Sequence, residues 1–165
     1  MGIGRIGKHL LHHHWWLRRY FPPTVLAAIE AATKAGETTH SGQVCFVVEG
    51  ALSGRPLFKN QPARARALDI FSQLRVWDPA HNNGVLIYLL LADRNVEIIA
   101  DRGIDAKVGA AGWEAICTAM EAEFRNGNFE AGVIKGIVAV SRELAKHFPA
   151  SGVGKNELPN APVVI

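Results

Sequence analysis

The sequence predicts an α/β protein, a three-layer α/β/α sandwich with a small mixed sheet and an extra amphipathic helix at the N-terminus. Short apolar, β-branched runs alternate with longer segments in which apolar residues recur every three or four positions. One run, residues 85–92, is apolar throughout, which is typical of a strand buried on both faces. The order β–α–β–β–α–α predicts a parallel pair of strands joined by a helix and extended by a β-hairpin.

The composition supports one folded domain. The chain has 165 residues, of which 48% are hydrophobic and 20% charged, which is enough apolar material for a core and excludes disordered or collagen-like chains. Both cysteines, Cys45 and Cys117, lie among apolar residues and are expected to be buried thiols in a reducing compartment. We divide the chain into a leader helix (1–22), an α/β/α domain (23–148) and a flexible tail (149–165).

The net positive charge of the chain comes from the leader. Residues 1–22 contain four basic and no acidic residues, whereas the rest contains 14 basic and 15 acidic residues. The basic residues are thus concentrated in the leader, and a nucleic-acid-binding domain, which more often has a basic face on its folded body, is not favoured. Helical spacing gives the leader an apolar stripe with tryptophans at its margin, which is typical of a helix that binds an anionic membrane surface or a partner groove. The predicted membrane or partner surface comprises Ile3, Ile6, Leu10, Trp15, Trp16, Leu17, Arg18 and Arg19.

Two other interpretations of the leader remain. The same apolar stripe can pack on the body of its own chain. Residues His9, His12, His13 and His14 can bind metal, but three consecutive histidines spread around a helix, so an adventitious ion is expected rather than a built site. No stretch of the chain approaches the length of about 20 apolar residues that a membrane helix needs.

The first half of the body contains three predicted elements. They are a helix ended by Gly36, a buried strand over Val44–Val48, and a helix capped by Asn60. The inward stripe of the second helix consists of Ala67, Ile70, Phe71 and Leu74.

The second half begins with a turn over residues 81–84. A β-hairpin follows, with strands over Val85–Ala92 and Val96–Ala100. After a loop over Asp101–Gly109, two apolar stripes predict the last two helices; they consist of Trp113, Ile116, Cys117, Met120 and Phe124, and of Phe129, Val133, Ile137, Val140 and Leu144. Gly132 and Gly136 on the last helix would allow a neighbouring helix to approach closely.

Four segments give the chain a family likeness. They are the strand entry Asn82-Asn83-Gly84-Val85-Leu86, the hairpin turn Asp93-Arg94, the loop Asp101-Arg102-Gly103-Ile104 and the late pattern Phe124…Gly127-Asn128-Phe129…Gly132. In these segments, over roughly residues 24–147, the sequence resembles the TPM domain family of thylakoid-lumen, photosystem-repair and bacterial envelope proteins. Members of that family have been associated with calcium binding and weak acid phosphatase activity, so the resemblance implies a cation site and a phosphatase as expectations.

The hairpin also predicts a site from its own geometry. If the two strands pair about a turn near Arg94, the start of one lies beside the end of the other, which brings oxygen-bearing side chains together. The predicted metal ligands are Asp78, Asn82, Asn83, Asp101 and Asp105. Carboxylate and amide oxygens suit Ca²⁺ or Mg²⁺. The same residue types also form turns and helix caps, and this alternative stays open.

These observations favour one function and leave an alternative. The favoured function is a non-catalytic interaction module that docks on a membrane-associated assembly, with a divalent-cation site but no organic cofactor. The expected location is cytoplasmic and peripheral at the inner face of a membrane, with a membrane surface or a membrane-associated protein as partner. The alternative is a weak cation-dependent acid phosphatase that acts on phosphate esters, for which Asp101 and Arg102 are the candidate catalytic residues. The oligomeric state does not follow from the sequence.

Overall fold

The computed structural model describes residues 7, 9, 15–152 and 157–165. The helices with complete described bounds are α1 (Trp15–Tyr20), α2 (Pro23–Glu37), α3 (Gly54–Phe58), α4 (Ala63–Gln73), α5 (Arg102–Arg125) and α6 (Phe129–His147). The strands are β1 (Gln43–Glu49), β2 (Gly84–Leu90), β3 (Asn95–Ala100) and β4 (Val163–Val164). A 3₁₀ turn over Leu91–Asp93 connects β2 to β3.

The strands form one mixed sheet in the order β3-β2-β1-β4. Strands β1 and β2 are parallel, with Gln43 beside Gly84 at one end and Glu49 beside Leu90 at the other. Strands β2 and β3 are antiparallel, with Val85 opposite Ala100. The predicted parallel pair extended by a hairpin is therefore confirmed.

Helices cover both faces of the sheet. Every residue of β2 is buried, and its side chains alternate between two separate apolar clusters. One cluster joins β2 to α2, α5 and α6 through residues such as Ile29, Trp113 and Ile137. The other joins it to α3 and α4 through Leu57 and Ile70. This arrangement is the predicted three-layer α/β/α sandwich.

Helix α5 begins earlier than the sequence pattern predicts. The predicted loop over Asp101–Gly109 is helical from Arg102, because an Asp101 carboxylate oxygen accepts a hydrogen bond from the Arg102 N–H and caps the helix. Ile104 is fully buried, so this first segment packs on the core. Gly109 then adopts φ 72° and separates two helical segments. The predicted apolar stripe begins at Trp113, in the second segment, so the sequence pattern did not indicate the first segment.

The predicted flexible tail contains a strand. Val163 and Val164 pair in parallel with Val47 and Val48 of β1, and the Ile165 N–H donates to the Val48 carbonyl at 3.0 Å. A two-residue strand has no periodicity to detect in a sequence. It forms because β1 would otherwise be an edge strand, whose unpaired backbone N–H and C=O groups hydrogen-bond with the tail.

Helix α1 packs on the body. Trp16, Leu17 and Tyr20 are partly buried against the core, and the rings of Tyr20 and Phe129 are 4.3 Å apart. Among the residues that the structure describes, no helix has the length and apolar character required to cross a bilayer.

Gly84 is required by a close approach and not by a turn. The turn residue with positive φ is Asn82, at 52°. A Cβ on Gly84 would overlap the backbone carbonyl oxygen of Val76. Backbone cannot move aside as a side chain can, so only glycine allows the chain after α4 to pass this close to the start of β2.

We expect Gly84→Ala to lower the free energy of unfolding by about 3 kcal/mol, because the added methyl forces a backbone shift in a packed region. Denaturant unfolding followed by circular dichroism measures the change. Gly112→Ala is the control, since its new methyl would meet only the side chain of Val108, which can rotate. Equal stability of the two variants would contradict the close-approach explanation.

Candidate functional site

The predicted site lies where β1 and β2 begin and β3 ends. The Asp101 N–H donates to the Gly84 carbonyl at 2.8 Å, and the Ile104 N–H donates to the Asn82 carbonyl at 3.3 Å. On the other side, the Asn83 Nδ2 donates to the Ser41 carbonyl at 3.3 Å. Three segments that are far apart in the sequence therefore meet at one edge of the sheet, which we call the entry edge.

Two buried oxygen atoms at the entry edge have no hydrogen-bond partner among the described residues. They are Oδ1 of Asn83, a residue that is 1% exposed, and Oδ2 of Asp101, which is 8% exposed. A buried acceptor without a partner is costly, so such atoms are often satisfied by a water molecule or an ion. These two atoms are the strongest candidates for ligand binding in the predicted set.

The three other predicted metal ligands either have hydrogen-bond partners within the protein or lie away from the entry edge. The Oδ1 of Asn82 accepts from the Arg102 Nε at 3.3 Å. The Oδ1 of Asp105 accepts from the Trp113 Nε1 at 2.9 Å, which ties the two segments of α5 together. Asp78 is exposed and lines a separate groove with Leu158.

The candidate catalytic residues have structural partners. The Oδ1 of Asp101 caps α5, and the exposed Arg102 donates to Asn82. Within the described ranges, no group of three His, Cys, Asp or Glu side chains is arranged to hold a metal ion.

A buried polar pair near this edge was not predicted from the sequence. The Nε2 of His40 and the hydroxyl of Ser141 both lack a described partner, and both lie within 4 Å of the position that a Cβ on Gly36 would occupy. The His40 Nδ1 is 3.1 Å from the Gly42 carbonyl and donates to it in the neutral ring. Ser141 lies on the apolar side of α6, where a serine gives no periodic signal. Burial lowers the pKa of His40 below its ordinary value.

Of the predicted membrane or partner surface, some residues of α1 are exposed and others pack against the core. Trp15 is 65% exposed, and Arg18 and Arg19 are also exposed, whereas Trp16 and Leu17 face the core. The Arg19 guanidinium lies 5.4 Å from the centre of the Trp15 ring. The remaining predicted residues of this surface, Ile3, Ile6 and Leu10, lie outside the described residues.

His9 attaches the leader to the opposite edge of the sheet, where β1 and β2 end. Its ring is fully buried. The Nδ1 accepts from the Leu52 N–H at 2.9 Å, and the Nε2 lies 3.1 Å from the Asp93 carboxylate. Because the Nδ1 accepts, the neutral ring carries its proton on Nε2 and donates it to Asp93. Nothing local in the sequence distinguishes His9 from the three histidines that follow.

On the α4 side of the sheet, a largely buried ion pair has hydrogen-bond partners for both oxygens of its carboxylate. The Arg66 guanidinium donates to both carboxylate oxygens of Glu49, at 2.9 and 3.0 Å, and the Tyr88 hydroxyl donates to the same carboxylate at 2.5 Å. Burial and the Glu49 charge raise the pKa of Tyr88. This network gives the buried Glu49 carboxylate and Tyr88 hydroxyl their hydrogen-bond partners, and we assign it a structural role.

A groove of about 540 Å³ runs between the outer edge of β3 and α5. Helix α5 covers this edge, since a Glu121 carboxylate oxygen accepts from the Val96 N–H at 3.2 Å. Burial, followed by the nearby Glu97 carboxylate, raises the pKa of the Cys117 thiol in the groove to about 12. The thiol is therefore protonated at neutral pH and is a poor nucleophile.

Comparison with known proteins identifies related chains. The family model described as TPM domain matches residues 18–143. The NMR structure of the BA42 protein from the psychrophilic bacterium Bizionia argentinensis matches with a TM-score of 0.75 and 30% sequence identity, covering 86% of this chain and 93% of that one. The N-terminal domain of a protein from P. gingivalis matches with a TM-score of 0.57 and 24% identity, covering 72% of this chain and 74% of that one. No curated protein sequence matches this chain.

We expect His40 to make the protein less stable in mild acid. Burial keeps the folded ring neutral, whereas in the unfolded chain it takes up a proton near the ordinary pKa of 6.5. The contribution of His40 is therefore fully present above pH 6.5 and is lost as the pH falls toward the lower folded pKa, by at most about 1.4 kcal/mol per pH unit. Urea unfolding between pH 8 and pH 5 measures the slope.

The matched variants are His40→Asn, which removes the titrating ring and keeps a donor, and His81→Asn at an exposed position. We expect His40→Asn alone to flatten the acid slope. If both variants keep the slope of the parent chain, His40 is not the residue responsible.

Proposed function

Because the chain belongs to the TPM domain family, we propose that it is a non-catalytic binding module that docks on a membrane-associated assembly through the exposed face of α1. A divalent-cation site at the entry edge is the second part of this proposal. The observation that carries the docking function is the orientation of α1, whose core-facing residues fix the helix while Trp15, Arg18 and Arg19 point away from the core.

The exposed face of α1 has the chemistry that an anionic surface requires. It combines a tryptophan with two arginines, and residues 1–22 contain no acidic side chain. Tryptophan inserts at the headgroup level of a bilayer, and each basic residue near an anionic surface contributes about 1 kcal/mol. This combination supports membrane docking over docking on a neutral protein groove.

The unpartnered Asn83 and Asp101 oxygens support the cation site. An amide and a carboxylate oxygen are ligands that Ca²⁺ and Mg²⁺ accept, and water or backbone carbonyls would complete the coordination shell. A bound cation would contact the Oδ2 of Asp101 and offset the cost of burying this carboxylate oxygen without a hydrogen-bond partner.

The acid phosphatase alternative has no specific observation in its favour. Asp101 and Arg102, its candidate catalytic residues, both have local hydrogen-bond partners. We therefore do not propose a hydrolase.

The docking proposal is tested by co-sedimentation with vesicles of phosphatidylcholine alone or mixed with phosphatidylserine. We expect the parent chain to bind only the mixed vesicles. The variant Trp15→Ala/Arg18→Gln/Arg19→Gln should bind at least about tenfold more weakly, because it loses two charges and the interfacial ring. It is preferable to deletion of the leader, since Trp16, Leu17 and Tyr20 continue to cover the core.

The control is Lys107→Gln/Lys146→Gln, which removes two exposed charges from α5 and α6 without changing α1. Equal losses in both variants would indicate general charge attraction and contradict a defined surface. Absence of binding by the parent chain would reject lipid docking.

The cation proposal is tested by calorimetric titration with Ca²⁺ and, separately, with Mg²⁺. We expect Asp101→Asn to weaken binding at least about tenfold because it removes the charged ligand. Asparagine also caps helices well, so α5 should keep its start. Asp78→Asn is the charge-matched control. A parent chain that binds neither cation, or an Asp101→Asn variant that binds normally, would refute the site.

A further inference from the structure

The edge where β1 and β2 end carries basic residues from three parts of the chain. Arg18 and Arg19 come from α1, Arg94 follows the 3₁₀ turn after β2, and Arg55 lies in the first turn of α3 after β1. Arg18, Arg19 and Arg55 are exposed, and Arg94 is partly exposed. We call these four residues and Trp15 the basic edge. It lies at the end of the parallel strands opposite the entry edge.

His9 links the leader to both body segments of the basic edge. It accepts from the N–H of Leu52, three residues before Arg55, and contacts the carboxylate of Asp93, the neighbour of Arg94. Asp93, the acidic residue in this turn, is therefore engaged with the buried ring. A second link is the Arg94 guanidinium, which lies 5.9 Å from the centre of the Trp16 ring.

These contacts hold His9 and α1 on the body, so the charges of α1 and those of the body act together. We propose that the basic edge is one composite surface that docks on an anionic lipid bilayer, with Arg55 and Arg94 contributing alongside α1. The inference rests on the proposed docking function and adds to it the two body residues, Arg55 and Arg94.

Charge complementarity selects the partner. The four arginines come from segments separated by up to 76 positions in the chain. Contacts of His9 and Trp16 join α1 to the two segments that carry Arg55 and Arg94, so an extended negative surface is the partner that suits them together. An anionic bilayer offers such a surface and also an interface for the exposed Trp15 ring. The Arg94 position has φ 51°, a conformation in which asparagine is well tolerated, so its charge can be removed without backbone strain.

The test uses the full chain with vesicles of phosphatidylcholine and phosphatidylserine. We expect Arg55→Gln/Arg94→Asn to reduce the partition coefficient about tenfold or more, as the loss of two charges near an anionic surface predicts. Arg55→Lys/Arg94→Lys keeps both charges and should bind within about twofold of the parent chain. Lys107→Gln/Lys146→Gln should also bind like the parent chain, and circular dichroism checks that each variant is folded.

The outcomes separate this inference from the function on which it rests. If the α1 variant loses binding but Arg55→Gln/Arg94→Asn does not, the composite surface is wrong and docking through α1 stands. If the double lysine variant loses as much binding as the neutral variant, the arginines act by geometry and not by charge, which overturns the lipid assignment. If the parent chain does not bind, both proposals fail.

Discussion

Strand β2 is buried on both faces, and this burial determines how the other elements are arranged around it. Its side chains enter two apolar clusters, so helices must cover both sides of the sheet. Its parallel pairing with β1 then sets the direction of the sheet and gives it two different ends. The Val76 carbonyl packs closely against Gly84 at the start of β2, and the preceding loop contacts the start of α5 through the hydrogen bond from the Ile104 N–H to the Asn82 carbonyl.

The two ends of the parallel pair differ in chemistry. At the entry edge, buried oxygen atoms of Asn83 and Asp101 lack described partners, which favours a small cation. The basic edge carries four arginines, three of them exposed, and the exposed Trp15, which favours an extended anionic surface. The full length of β1 and β2 separates the two edges, so docking and cation binding are proposed as separate properties.

The predicted site residues had unequal outcomes for physical reasons. The positions of Asn82, Asn83 and Asp101 beside each other follow from hairpin geometry, which a sequence pattern can indicate. The partners of their side chains do not follow from it: Asn82 accepts from Arg102, and Asp105 accepts from Trp113, a residue eight positions away across the Gly109 break. Ser141 and His9 gave no signal, since one interrupts an apolar stripe and the other resembles its neighbours in sequence.

The α/β/α class, the mixed sheet and the separation of a basic leader from a nearly neutral body all follow from the amino-acid sequence. These features arise from hydrophobic periodicity, strand order and charge, which are local properties of the chain. Three features are visible only in the folded chain: α1 packs on the core, Val163 and Val164 complete the sheet, and the segments of Arg55 and Arg94 lie beside His9 and α1. These features depend on contacts between residues that are distant in sequence. Such contacts stabilise the protein only after the chain has folded and brought the two segments together, so no local sequence pattern indicates them.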